Sequence, residues 1–295
     1  FEAPQALRLA FTDLGTTTIQ LGQIIASGEG LFPQRYVDEF QFCLDRVPPF
    51  PGAEARRIVE RALGAPVETV FASFDAEPMA AASIAQVHGA TLATGEDVVV
   101  KVQRPGIADH IETDLVILRA AAWVVERTVR GMDLMNPVMV VDDFAKTIRE
   151  ELDFEREART MDEFNSCMRT SGLEDCVAPR VDWAHTSTRV LVMERFVGFK
   201  ADDVEAIRAS GLDAEHHLRR GLKAWLMTMM LAGFFRGDAH AGNLMMMPEG
   251  PAVGLLDFGI IGRFTTEQRH QVMRYVLAFS AKDYAALARS EEHTS

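Results

Sequence analysis

Cysteine is scarce in this chain, with 3 residues among 295. They are Cys43, Cys167 and Cys176, an odd number without the spacing of metal ligands. The sequence therefore predicts neither a disulfide framework nor a cysteine-rich zinc site. Free thiols are typical of a reducing compartment, so we expect a cytoplasmic protein.

The chain also lacks a long apolar run and an excess of positive charge. Its longest apolar stretch, "LKAWLMTMMLAGFF" at residues 222–235, contains Lys223 and is shorter than the roughly 20 residues of a membrane-spanning helix. This stretch predicts a buried core helix. The net charge of -13 repels nucleic-acid phosphates, so we expect no nucleic-acid partner and only a local phosphate site.

What is present describes a folded globular chain, because 48% of the residues are hydrophobic and 25% are charged. Apolar residues at helical spacing, such as Leu7, Phe11 and Leu21, predict a helical extension over residues 1–69. Residues 70–195 alternate strand-like runs with helical segments, which predicts an antiparallel sheet with inserted helices. Residues 196–288 predict a second, mostly helical lobe, and residues 289–295 are interpreted as a non-native tail.

A hairpin is predicted where "PEGP" turns between "NLMMM" and "AVGLLDFG". Pairing outward from the turn places Met245 opposite Gly254 and Asn243 opposite Leu256, beside Asp257. Cross-strand neighbours lie about 5 Å apart, so an amide oxygen and a carboxylate would be close enough to bind one Mg²⁺. The alternative is that these are ordinary turn residues.

Asp238 lies in the small-residue loop before that hairpin. A carboxylate there is available to accept a proton from a substrate hydroxyl or to orient it. A carboxylate at this position beside a magnesium site is typical of phosphoryl transfer, and the sequence therefore predicts that reaction.

Lys101 lies within "VVVKV", a run typical of a buried strand, where an ammonium group needs an acidic partner. Candidate partners are Glu150, Asp153 and Glu157 in "REELDFEREA", interpreted as one continuous helix with these carboxylates on one face. Glu151 points roughly the other way in such a helix. The alternatives are an exposed lysine on an edge strand and a solvated acidic helix face.

Read in order, several segments resemble the UbiB family of atypical kinase-like proteins, which is associated with coenzyme Q biosynthesis. They are "YVDEFQFCLDRVPPFP", "FASFDAEPMAAASIAQVH", "VVVKVQRPGI", "ELDFEREA", "RVLVMERFVG" and "LLDFG". The resemblance implies an α+β, bilobal protein-kinase-like fold with ATP (or ADP) and Mg²⁺ between the lobes. It also implies an added N-terminal helical extension and, at this chain length, a C-terminal lobe that is cut short.

The resemblance implies roles for individual residues. Lys101 would hold the nucleotide phosphates and pair with Glu157, and Asp238 matches the catalytic-loop aspartate. The metal ligands would be Asn243 and Asp257. The loop over the phosphates would be Ala80, Ala81, Ala82 and Ser83, and the backbone that bonds adenine would run from Glu194 to Phe196.

Two family motifs carry less defined roles. Glu151 and Asp153 match the ExD motif, whereas the KxGQ motif reads "QLGQ" here, with Gln20 in place of the lysine and Gln23 retained. This chain therefore lacks the positive charge with which, as the resemblance implies, the family's lysine limits access to the site or shapes nucleotide preference.

The sequence therefore predicts an ATP-dependent kinase-like enzyme, either an ATPase or a small-molecule phosphotransferase, that supports quinone biosynthesis. We expect it to be peripheral to the inner membrane, with quinone-pathway lipids or enzymes as partners besides the nucleotide. One alternative is a catalytically weak nucleotide-binding scaffold. Another is an antibiotic-modifying phosphotransferase of the same fold.

Overall fold

The computed structural model describes residues 3–27, 34–42, 48–128, 136–236, 241–259 and 261–283. The chain divides into two compact units. Unit 1 comprises residues 1–157 and 181–195, and unit 2 comprises residues 158–180 and 196–295. The sequence-based domain boundaries stay a prediction.

Unit 1 begins with helices and continues into an antiparallel sheet. The helices are α1 (Ala3–Leu14), α2 (Thr16–Ser27), α3 (Gln34–Phe40), α4 (Gly52–Leu63) and the short α5 (Val67–Val70). The strands are β1 (Phe71–Phe74), β2 (Ala80–Ala81), β3 (Ala85–Leu92), β4 (Asp97–Gln103) and β6 (Val190–Glu194). They follow the order β1-β3-β4-β6, with β2 beside β3, which confirms the predicted antiparallel sheet.

The core of unit 1 lies between this sheet and α4. Alternate residues of β4, Val98, Val100 and Val102, are buried there with Ile58 and Val59 of α4. Because strand side chains alternate between faces, Lys101 lies on the opposite face of the sheet. The alternation therefore separates the hydrophobic core from the lysine.

Three longer helices follow β4: α6 (Ile107–Thr128), α7 (Pro137–Glu151) and α8 (Phe154–Thr170). The prediction of one continuous helix through "REELDFEREA" is wrong, because α7 ends at Glu151 and α8 begins at Phe154. The carboxylate of Asp153 accepts hydrogen bonds from the N–H groups of Glu155 (3.1 Å) and Arg156 (3.4 Å). Asp153 thus caps a new helix instead of repelling Glu157 from within one helix.

Unit 2 contains the continuation of α8 and two small sheets. One sheet has the order β5-β10-β9-β7 and the other pairs β11 with β8. The strands are β5 (Cys176–Val177), β7 (Phe199–Lys200), β8 (Phe234–Arg236), β9 (Leu244–Met246), β10 (Val253–Leu255) and β11 (Ile261–Arg263). The helices are α9 (Val204–Ser210), α10 (Ala214–Met227) and α11 (Thr266–Ser280).

The apolar stretch at residues 222–235 is not the buried core helix that was predicted. It covers the end of α10, a π-helical turn at Thr228–Ala232, and the start of β8. Ala224 is buried, but Leu222 and Leu231 are exposed. Among the described residues, no helix is long and apolar enough to cross a membrane.

Candidate functional site

Lys101 and Glu157 form an ion pair within unit 1. The Nζ atom donates to both carboxylate oxygens, at 3.0 Å to Oε1 and 2.9 Å to Oε2. Only 16% of the lysine side chain and 3% of the glutamate side chain are exposed to solvent. The ammonium also lies 5.2 Å from the ring centroid of Phe154, within the range of a cation–π interaction.

The position of β4 excludes the alternative of an edge-strand lysine. Lys101 pairs with Val87 of β3 on one side and with Leu191 of β6 on the other. Glu157 lies in the first turn of α8, where the helix dipole favours a carboxylate. The predicted acidic partner of Lys101 is therefore present and is one of the three proposed carboxylates.

The small residues proposed to cover phosphates form a tight antiparallel turn. Ala80 and Ala81 pair with β3, and the N–H of Ala82 donates to the carbonyl of Ala85 at 2.8 Å. The Arg104 guanidinium holds the turn by donating to the Ala82 carbonyl at 2.9 Å. Ser83, the last residue of the proposed loop, is buried.

Gln20 contacts two of the other predicted positions, Ser83 and Glu151. Its Nε2 atom donates to Oγ of Ser83 at 3.0 Å and lies 3.3 Å from Oε2 of Glu151. Gln20 is buried, and its Oε1 atom has no hydrogen-bond partner among the described residues. The amide of Gln20 thus ties α2 to the Ser83 turn and to the end of α7 without a positive charge.

The break between α7 and α8 gives Glu151 and Asp153 different contacts. Gln103 donates from Nε2 to the Leu152 carbonyl at 2.9 Å, which holds the chain between the two helices. Glu151 then lies against Gln20, and Asp153 caps α8. The sequence placed both residues in the ExD motif, and their functional roles stay a prediction.

Glu194 and Phe196 lie where the chain leaves unit 1 and enters unit 2. Glu194 is the last residue of β6 and pairs with Val98. Phe196 packs against Gly254 in unit 2 so closely that a Cβ atom at Gly254 would lie 2.5 Å from Cδ2 of the ring. Their proposed backbone bonds to adenine stay a prediction.

In unit 2, the β9-β10 hairpin has the predicted register. Met245 pairs with Gly254, and the N–H of Leu256 donates to the Asn243 carbonyl at 3.0 Å. This confirms that Asn243 lies opposite Leu256, adjacent to Asp257. Oδ1 of Asp257 accepts the N–H of Gly259 at 3.0 Å, which fixes one oxygen of that carboxylate.

The side chains at this end of the hairpin fit a hard divalent cation. Asn243 would bind the cation through its amide oxygen, because its Nδ2 group, which is buried without a hydrogen-bond partner among the described residues, can only donate. An amide and a carboxylate provide two oxygen ligands, and Mg²⁺ usually fills its other positions with water or phosphate oxygens. No group of three or more His, Cys, Asp or Glu suited to a metal occurs in the described part of the chain.

Phe258, between Asp257 and Gly259, anchors the segment in unit 2. Its ring is buried and lies 5.4 Å from the ring of Phe164 on α8 in an edge-to-face arrangement. This contact was not predicted from the sequence, although a phenylalanine next to a candidate ligand is a signal that could have suggested a packing anchor.

Two predicted site residues, Asp238 and Gln23, have side chains outside the described part of the structure. Their proposed roles stay predictions.

Comparison with known proteins gives a consistent assignment. Residues 43–291 match the family model described as the ABC1 atypical kinase-like domain. The chain is 38% identical over 288 residues to an uncharacterized aarF domain-containing protein kinase of Arabidopsis thaliana, covering 97% of this chain and 53% of that protein. It is also 38% identical over 286 residues to a protein named "Probable protein kinase UbiB" from Marinobacter nauticus, covering 96% and 52%. The chain thus spans about half the length of these relatives.

One solved structure is similar over most of the chain. It is the complex of Rv3197 with erythromycin from Mycobacterium tuberculosis, with a TM-score of 0.66 and 26% identity. The similarity covers 92% of this chain and 68% of that one. The predicted α+β kinase-like fold and the predicted family are both confirmed: the chain belongs to the UbiB family of proteins with an ABC1 atypical kinase-like domain.

Proposed function

We propose that the chain binds ATP with Mg²⁺ and transfers or hydrolyses its γ-phosphoryl group, in support of quinone biosynthesis. The observation that carries the proposal is the Lys101–Glu157 ion pair. It keeps an ammonium group on a central strand, where 16% of the lysine side chain still reaches solvent. An ammonium group that is oriented by a carboxylate and partly accessible is suited to bind phosphate oxygens.

The hairpin of unit 2 supports the metal part of the proposal. Asn243 and Asp257 would hold Mg²⁺, which supplies a positive charge to the phosphate oxygens when it is bound. Gly259 fixes one Asp257 oxygen through its N–H, so the carboxylate is oriented before a ligand arrives. Asp238 would accept or orient the proton of the attacking hydroxyl group.

The family supports the pathway. Members of this family are associated with coenzyme Q biosynthesis, and we extend that role to this chain, with an ATPase or a small-molecule phosphotransferase activity. A location at the cytoplasmic membrane surface, with quinone-pathway lipids or enzymes as partners, belongs to the same proposal.

A second candidate, a scaffold with little turnover, is favoured by the contacts of Gln20. A neutral amide bonds Ser83 and lies against Glu151 at the position of the family's lysine. If the missing charge reduces catalysis, Gln20→Lys should raise the turnover of this chain.

Phosphate release separates the two candidates. We would measure it with ATP and Mg²⁺ for the unchanged chain, for Asp238→Asn and for Asp257→Asn. A rate that both substitutions abolish supports the enzyme. Equal and negligible rates in all three, together with nucleotide binding, support the scaffold.

The pathway has its own test. Quinone content would be measured in a strain lacking this gene and carrying either the intact gene or Asp257→Asn. Rescue by the intact gene alone supports the proposal, whereas quinone levels that do not change on deletion would remove the pathway from it.

A further inference from the structure

A cleft of about 520 Å³ opens in unit 1, at the end of the sheet where β4 finishes. One wall is a single face of α4, formed by Glu54, Arg57, Ile58 and Arg61. These positions are three, four and seven residues apart, so they follow one side of the helix. The other walls are the β4–α6 connection, the start of α6, the α7–α8 break and the turn before β6.

The cleft carries three arginines that lack acidic partners. No carboxylate is within ion-pairing distance of Arg57, Arg61 or Arg189 in the part of the chain that the structure describes. Arg189 is oriented by Gln103, whose Oε1 accepts from its Nε at 3.2 Å. Three guanidinium groups without carboxylates leave donors available for an anion.

Arg56 on the same helix provides the contrast. It pairs with Glu60 at 3.2 Å and also contacts Glu68, on a side of α4 away from the cleft. The arginines of α4 are therefore divided by helix face into one that is neutralised and two that are not.

The charges and apolar residues that line the rest of the cleft indicate which kind of ligand it can bind. Two carboxylates, Glu54 and Asp109, oppose the three arginines, so the cleft has a net positive charge in a chain of net charge -13. The start of α6 adds the partial positive charge of a 22-residue helix. Leu152 is half-buried and supplies apolar surface beside the charge, and the buried side chains of Ile58 and Ile107 form the floor of the cleft.

We propose that this cleft binds an organic phosphate or diphosphate at a site separate from the proposed nucleotide site. Lys101 and Gln103 are two positions apart on β4, about 7 Å along the strand. The cleft reaches Gln103 but is not lined by Lys101. Its volume is within the range of about 300–1,000 Å³ that holds small organic ligands.

The phosphate could belong to a soluble ligand or to a lipid headgroup, and two probes distinguish these sources. The first is inorganic pyrophosphate, titrated calorimetrically into the chain without magnesium. The second is a phosphatidylcholine vesicle containing phosphatidic acid, followed by co-sedimentation. Binding of pyrophosphate indicates a soluble ligand, and binding of the vesicle alone indicates a lipid headgroup.

Matched variants locate the site. The double substitution Arg57→Gln with Arg61→Gln should weaken binding of the effective probe by about tenfold or more, because hydrogen bonds to charged groups are strong. Arg56→Gln should leave the affinity unchanged. Glu54→Gln should tighten binding by about threefold, because it removes a repulsive charge near the anion.

Three results would overturn the proposal. They are the absence of binding to both probes, an equal loss in Arg56→Gln and in the double variant, and a double variant that binds as tightly as the unchanged chain. Thermal unfolding of each variant checks the fold, and glutamine suits exposed helix positions. These outcomes do not depend on phosphate release, so failure here is distinguishable from failure of the proposed function.

Discussion

Replacing Glu157 with glutamine should destabilise unit 1 strongly, although the two side chains have nearly the same shape. The substitution leaves the ammonium of Lys101 facing a neutral amide, at a position where 16% of the lysine side chain is exposed. Removing one partner of a buried ion pair costs about 3–5 kcal/mol, because the remaining charge loses its compensation.

The expected magnitude is at the lower end of that range. Glutamine keeps one acceptor oxygen for Nζ, and the exposed part of Lys101 keeps some contact with water. We therefore expect a loss of about 3 kcal/mol in the free energy of unfolding of unit 1. For a domain of 150–250 residues this lowers the melting temperature by roughly 6–12 °C.

Calorimetry and urea unfolding would measure this loss, with two controls. Arg119→Gln removes an exposed pair with Asp142 and should have little effect on the melting temperature. The double variant Lys101→Met with Glu157→Leu should recover most of the stability, since apolar pairs can replace buried ion pairs. If Glu157→Gln had the same melting temperature as the unchanged chain, the Lys101–Glu157 ion pair would not stabilise unit 1 as we expect.

Three further changes have defined outcomes. Gly254→Ala should lower the free energy of unfolding of unit 2 by about 1–3 kcal/mol, because the new Cβ would displace the Phe196 ring. If this clash is the cause, calorimetry should show restored stability in the double variant with Phe196→Leu. Asp153→Ala should lower the free energy of unfolding by about 1 kcal/mol through loss of the α8 cap, whereas Asp153→Asn should keep most of the stability. Equal urea midpoints for the two variants would contradict the capping role. Burial lowers the pKa of His88 below its usual value of 6.5, so the unfolded chain binds a proton at this residue more readily than the folded chain does. The free energy of unfolding should therefore fall as the pH drops below about 6.5, by up to about 1.4 kcal/mol per pH unit. His88→Gln should flatten that part of the pH profile of stability.

The sequence predicts most where local pattern and tertiary structure agree. The valines of β4 predicted a buried strand, and its central place between β3 and β6 follows from that burial. The "PEGP" turn fixed the pairing of Met245 with Gly254, because a short turn leaves little freedom of register. The same register places the backbone of Asn243 opposite Leu256, the residue before Asp257.

The sequence predicts less where a tertiary contact decides between two local structures. The charges of "REELDFEREA" recur at helical spacing, but Gln103 takes the Leu152 carbonyl and Asp153 caps the next helix. Periodicity cannot reveal a hydrogen bond from a strand nearly 50 residues earlier. The contact of Gln20 with Ser83 has the same origin, since the two residues are far apart in the chain.

Magnesium-dependent nucleotide binding would show whether Asp257 helps to hold a metal-bound triphosphate. Calorimetric titration of ATP into the chain would be done with magnesium and with a chelator, for the unchanged chain and for Asp257→Asn. We expect magnesium to tighten ATP binding to the unchanged chain by about tenfold or more, and Asp257→Asn to remove this difference. Equal affinities with and without magnesium in the unchanged chain, or an unaltered magnesium effect in Asp257→Asn, would contradict it.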